Sequence, residues 1–91
     1  MENIEQEVID WHKETFSAAT VTDISDKFIE ESQEMLNAVC HEEFEEEFAD
    51  MAIVFMALQN KLGRRTLTQC IADKLAVNKT RKWATDGTRE K

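Results

Sequence analysis

Four acidic residues in the middle of the chain are spaced so that they can converge: Glu31 and Glu34 in IEESQEM, then Glu47 and Asp50 in EEEFADM. Two residues three apart on a helix share one face, separated by about 4.5 Å of rise. If the chain reverses near Cys40 and His41, the pairs Glu31–Asp50 and Glu34–Glu47 are both centred on that turn. Facing carboxylates repel one another, and a divalent cation is the simplest physical reason to gather them. Magnesium fits such a site, because it is hard, takes carboxylate oxygens, keeps several waters and binds substrate phosphates. Two ions roughly 4 Å apart would serve the same chemistry, one beside the attacking water and one at the leaving oxygens.

The competing reading is a solvated helix face, since acidic runs commonly do nothing more than that. Residues 42–50 also contain Glu42, Glu43, Glu45 and Glu46, so Glu42 with Glu45, or Glu43 with Glu46, satisfies the same spacing. Position separates Glu47 and Asp50 from these: they flank Phe48 and Met51 and lie one turn from Phe44 and Phe55. Glu31 and Glu34 sit beside Phe28 and Met35 in the same way.

A basic segment, KLAVNKTRKW, follows later. Lys74, Asn78 and Arg81 fall at i, i+4 and i+7, on one helix face, with Lys79 and Lys82 on a neighbouring one. These cations suit phosphate oxygens, and Asn78 can both donate and accept hydrogen bonds. Cations near a helix C-terminus are also favourable without any ligand. Trp11 is a candidate for stacking on a base, with core or interface packing as the alternative; Trp83 is a weaker one. His12 and His41 have nothing in sequence to orient them.

These side chains need helices to place them, and the patterning supplies four. Ile4 to Ala19 puts Ile4, Val8, Trp11 and Thr15 on one stripe with Phe16 beside it. A second helix is capped by Thr22 or Ser25, runs to about Val39 and turns Ile24, Phe28, Met35 or Leu36, and Val39 inward. The third, Glu42 to Leu62, carries Phe44, Phe48, Met51, Ala52, Phe55, Leu58 and Leu62, and ends at Gly63. Ile53, Val54 and Met56 lie on its other flank, so two sides should be covered, one by the chain's own helices and one by a second subunit. The fourth starts near Thr66, turns Leu67, Ile71 and Leu75 inward and runs to about Trp83. No strand pattern appears, so the expected fold is an all-α four-helix bundle over 1–83, completed by dimerisation, with 84–91 as a flexible tail.

Composition narrows the partners. Ninety-one residues make one domain, and there is no proline to break a helix. Residues 1–60 hold sixteen acids against Lys13 and Lys27, while 61–91 hold nine bases against three acids. Acid for metal beside base for phosphate is what a nucleotide needs, whereas polymeric nucleic acid is a poor partner for so acidic a body. Two distant cysteines suggest neither zinc nor a disulfide scaffold. The acidic N-terminus and the lack of any apolar run near eighteen residues point away from a secretory signal or membrane span, towards a reducing cytoplasm.

The pattern resembles the MazG-like all-α nucleoside triphosphate pyrophosphohydrolases. That superfamily carries Glu-x-x-Glu on one helix and Glu-x-x-Asp on the next, read here as E31-S-Q-E34 and E47-F-A-D50, followed by a basic helix similar to K74-L-A-V-N78-K79-T-R81-K-W83. With the early W11-x-x-x-x-F16, the chain is most similar to a small phage-type branch acting on dATP and dGTP. Ser32 and Gln33 stand where the family frequently has glycine and leucine nearby, and the linker lacks the basic or aromatic residue of some branches. The resemblance implies Mg²⁺, with Mn²⁺ as a substitute, on Glu31, Glu34, Glu47 and Asp50. It also implies that Glu30 helps orient or deprotonate the attacking water, with Glu31 and Glu47 in the catalytic set. Lys74, Asn78, Lys79 and Arg81 would contact the triphosphate or sugar, in a cleft completed by a neighbouring subunit of a homodimer or homotetramer. The implied reaction is water attack on the α-phosphorus, releasing monophosphate and pyrophosphate in the cytoplasm, that of a bacterial host if the protein is phage-encoded. Two alternatives remain: an acidic helical adaptor or inhibitor that binds a partner protein through its apolar surface, and a phosphohydrolase that removes one phosphate.

Overall fold

The computed structural model describes residues 3–90, which form four helices: α1 (Ile4–Thr15), α2 (Val21–Leu36), α3 (His41–Leu62) and α4 (Leu67–Thr80). Each start but one is fixed by a side chain that takes up an orphan backbone N–H. Asn3 accepts from the Gln6 N–H to begin α1. Thr20 and Asp23 form a reciprocal capping box on α2, as do Thr66 and Gln69 on α4. The α2 cap is therefore Thr20, upstream of both Thr22 and Ser25, because only Thr20 has a carboxylate three residues on that returns the bond. At the end of α3 a Cβ on Gly63 would lie 2.8 Å from the Gln59 carbonyl oxygen, so only glycine lets the chain leave that closely.

The architecture centres on the α2–α3 hairpin. Ile24, Val54 and Ala57 form its buried core, with Ala19, Phe28 and Leu58 packed against them and the Phe28 and Phe55 rings 5.6 Å apart. α1 lies against α3 and buries Ile9 and His12. Glu5 reaches from α1 to accept from the Leu67 N–H at 3.1 Å and the Thr68 hydroxyl at 3.3 Å, so it caps α4 across the fold. An Arg65–Asp73 ion pair spans the first turns of α4. No described helix is long and apolar enough to cross a membrane.

Several helices are rotated from the sequence expectation. The inward stripe of α1 is Glu5, Ile9 and His12, while Ile4 and Trp11 are exposed. On α3 the flank expected to be secondary is the core side, through Val54 and Ala57; Phe44, Phe48 and Leu62 are exposed, and Phe55 lies at the core's edge against Phe28. α2 ends three residues early, leaving Leu36 and Val39 exposed. α4 buries nothing, and Ile71 and Leu75, expected inside, are about half exposed. The chain after α4 is not featureless either. Trp83 pairs with Arg89, the Ala84 N–H donates to Thr88 and the Glu90 N–H to Lys82, with Gly87 at φ +94° making the turn. Residues 1, 2 and 91 of the expected domain and tail lie outside the described residues.

The result is open for its size. The radius of gyration is 15.6 Å, against about 12 Å for a compact domain of this length. The accessible surface is 7339 Å², against about 5,500 Å² expected for a monomer of this mass.

Candidate active site

The buried stripe of the hairpin ends in acid. On α2 Ile24 and Phe28 lead to buried Glu31, and on α3 Ala57 and Val54 lead to half-buried Glu47, while Glu34 and Asp50, the second acid of each pair, are exposed beside them. Oxygens of Glu31, Glu34 and Glu47 all lie within 4.8 Å of one another, which is a cluster able to hold a divalent cation. Glu34 and Glu47 are thus opposed across the hairpin, as the symmetric spacing about residues 40 and 41 requires. Asp50 adds its charge to Glu47 and lines the adjoining cavity with Glu31.

Burial makes this cluster different from a solvated face. Glu31 is only 5 % exposed. Its Oε2 and that of Glu47 are buried and meet no hydrogen-bond donor. A buried carboxylate oxygen without a donor is costly, and such groups call for a partner beyond the chain's own atoms. Hydrogen bonding to Glu34 pushes the Glu47 carboxyl up to about 7, with burial and the charges of Glu34, Glu31 and Asp50 acting in the same direction. One proton shared between facing carboxyls is how such a cluster reduces its repulsion when no metal is present. Lys27 offsets it from the other side, bonding Glu31 Oε1 at 2.9 Å and Glu30 at 3.5 Å.

Beside the acids lies a cavity of about 380 Å³, lined by Trp11, His12 and Phe16 from α1 and the turn after it and by Lys27, Glu31 and Asp50 from α2 and α3. The Trp11 and Phe16 rings meet edge to face at 5.6 Å, and His12 lies 4.9 Å from Phe16. Burial, and secondarily the charge of Lys61, pull the His12 imidazole below its ordinary value, favouring the neutral ring. A cavity lined by both aromatic rings and carboxylates suits a planar base joined to a metal-bound phosphate chain.

The sequence-derived residues fare differently. Glu31, Glu34 and Glu47 come together; Asp50 and Trp11 border the same cavity. Glu30 is not among the three converging carboxylates; it is exposed and shares Lys27 with Glu31 at the edge of the cluster. Lys74, Asn78, Lys79 and Arg81 line no part of that cavity. The Asn78 carbonyl accepts from the Trp83 indole at 2.7 Å, and its side-chain Oδ1 is buried without a partner. Sequence reasoning passed over Lys27, although its position four residues before Glu31 was a readable signal. It also left His12 unoriented, for want of any local sign that α1 turns that face inward.

An all-α hairpin that closes Glu-x-x-Glu onto Glu-x-x-Asp beside an aromatic slot defines a MazG-like nucleotide hydrolase. The family model described as dATP/dGTP pyrophosphohydrolase matches residues 4–91, and the chain belongs to that family of pyrophosphohydrolases. Comparison with curated proteins and with solved structures gives no match.

Proposed function

We propose that the protein hydrolyses dATP and dGTP to the monophosphate and pyrophosphate, using Mg²⁺ held by Glu31, Glu34, Glu47 and Asp50. The observation that carries this reading is the pair of buried, donor-free carboxylate oxygens on Glu31 and Glu47, within a three-carboxylate cluster that adjoins an aromatic-lined cavity through Glu31. These hard oxygen donors fit Mg²⁺, with Mn²⁺ as a substitute. The ion supplies charge neutralisation for the triphosphate and a lowered pKa for the attacking water.

The chain's own residues do the rest. Trp11, Phe16 and His12 receive the base and exclude water around it. Glu31 and Glu47 fix the reacting phosphate's environment from opposite helices, and Glu30, exposed at the edge of the cluster, is the acceptor for the water's proton. Water adds to the α-phosphorus as the bond to the bridging oxygen breaks, and pyrophosphate departs with its charge held by cations.

Lys74, Lys79 and Arg81 supply those cations from a second copy of the chain, with Asn78 beside them as a hydrogen-bonding group. The half-exposed Ile71 and Leu75 on the same helix support this arrangement, as does an accessible surface well above that of a compact monomer. A homodimer or homotetramer in the cytoplasm, next to the nucleotide pool, is the working unit. Incubation with each of the eight common NTPs and dNTPs and Mg²⁺ tests the proposal: pyrophosphate release with dATP and dGTP supports it. No release from any of them, or release of inorganic phosphate instead, overturns it.

A further inference from the structure

Lys27 occupies a position that the hydrolytic reading does not explain. Its ammonium bonds one oxygen of Glu31 at 2.9 Å, while the other oxygen of the same carboxylate is buried with no donor. The two partners are unequally placed: the Glu31 side chain is 7 % exposed and that of Lys27 51 %. Lys27 also lines the aromatic cavity, as do Glu31 and Asp50. A half-exposed lysine on a flexible four-carbon stem can change partners at small cost, whereas the buried carboxylate cannot follow it. Glu31, itself buried, faces the carboxylates of Glu34 and Glu47, and Lys27 is the one basic group within ion-pair distance of the cluster among the described residues.

We propose that Lys27 is a resident counter-cation of Glu31, which a divalent ion must displace and which the nucleotide's phosphates then receive. Metal and nucleotide binding are thereby coupled. The free protein takes up the ion weakly, because Lys27 competes for the same carboxylate. A nucleotide in the cavity draws the ammonium away, so the ion binds more tightly in its presence. This rests on the metal reading of the acidic cluster and goes beyond it by assigning Lys27 the coupling between the two ligands.

Free Mn²⁺ measured by electron paramagnetic resonance, with and without a non-hydrolysable α,β-imido analogue of dGTP, tests the coupling without any turnover. In the unaltered protein the analogue should tighten Mn²⁺ binding. Lys27→Met should bind Mn²⁺ about tenfold more tightly without nucleotide, the scale of one lost charge-assisted hydrogen bond, and should lose most of the tightening by the analogue. Lys27→Gln should behave alike, and circular dichroism checks that both remain helical. Lys61→Met removes one positive charge from α3 about 21 Å further along the helix from Glu47 and should leave Mn²⁺ binding unchanged, separating the local contact from net charge. Unchanged or weaker Mn²⁺ binding in the Lys27 variants, or an equal gain in Lys61→Met, overturns the assignment while leaving the metal site standing. Absence of Mn²⁺ binding in every protein overturns both.

Discussion

Glu47 on α3 faces Glu34 on α2, and hydrogen bonding between the two carboxyls holds Glu47 at about 7, far above its ordinary value of 4.5. That relationship makes the metal-free protein a proton-binding one. Because the folded value is raised, its contribution to stability is fully present below 4.5 and is lost as the pH rises through about 7. In EDTA, the melting temperature should fall between pH 5.5 and pH 8, and Glu47→Gln should remove most of that fall. Because a metal must displace the shared proton, Mg²⁺ affinity should rise over the same interval. Titration calorimetry in buffers of different ionisation enthalpy would register the released proton. A melting temperature independent of pH across that window would contradict the shared-proton geometry.

Removing a cluster carboxylate should stop the reaction without unfolding the protein. Glu47→Gln and Asp50→Ala should each lower kcat/KM by about a hundredfold or more. Helicity by circular dichroism should be retained, since Glu47 is half-buried, Asp50 is exposed and the core is Ile24, Val54 and Ala57. Steady-state pyrophosphate release alongside far-ultraviolet spectra checks both halves of this expectation.

The aromatic wall should matter to binding more than to folding. Trp11 is half exposed, so its truncation leaves the core intact. Trp11→Ala should raise KM about tenfold, the scale of one lost base–aromatic stack, with a small change in melting temperature. An equal loss in kcat with KM unchanged would place Trp11 outside the base site.

The outer face of α4 should hold the subunits together. Ile71→Glu and Leu75→Glu introduce charge onto half-exposed apolar positions. Each should shift the mass measured by light scattering towards the 10.6 kDa of one chain. Activity should fall with it if, as proposed, the basic residues of one copy serve the site of another. A variant that is monomeric and fully active would refute that shared arrangement.

The acidic hairpin was readable because its two determinants are local: helical spacing fixes which carboxylates share a face, and a turn at Cys40 fixes the register. Rotation of the helices was not readable with the same ease. From Met51 to Leu58 α3 is apolar all round, so periodicity cannot choose there between the face of Phe55 and the face of Val54 and Ala57; that choice depends on what packs against it. α1 was misjudged by one position around the helix because its true inward stripe contains Glu5 and His12, polar residues that burial patterns discount. Glu5 is inward because it caps α4, sixty-two residues away, a contact no local pattern encodes. α4 shows its apolar residues to solvent for a related reason: periodicity says they need cover but not whose. The closing hairpin hangs on backbone bonds and one glycine, which leave no periodic trace.

The most direct test of the metal centre is a crystal grown with Mn²⁺ and examined by anomalous scattering. The expected result is a peak bounded by the carboxylates of Glu31, Glu34 and Glu47, lost in Glu47→Gln. Manganese bound only elsewhere on the chain, or no peak at millimolar Mn²⁺, would contradict the assignment on which the proposed chemistry depends.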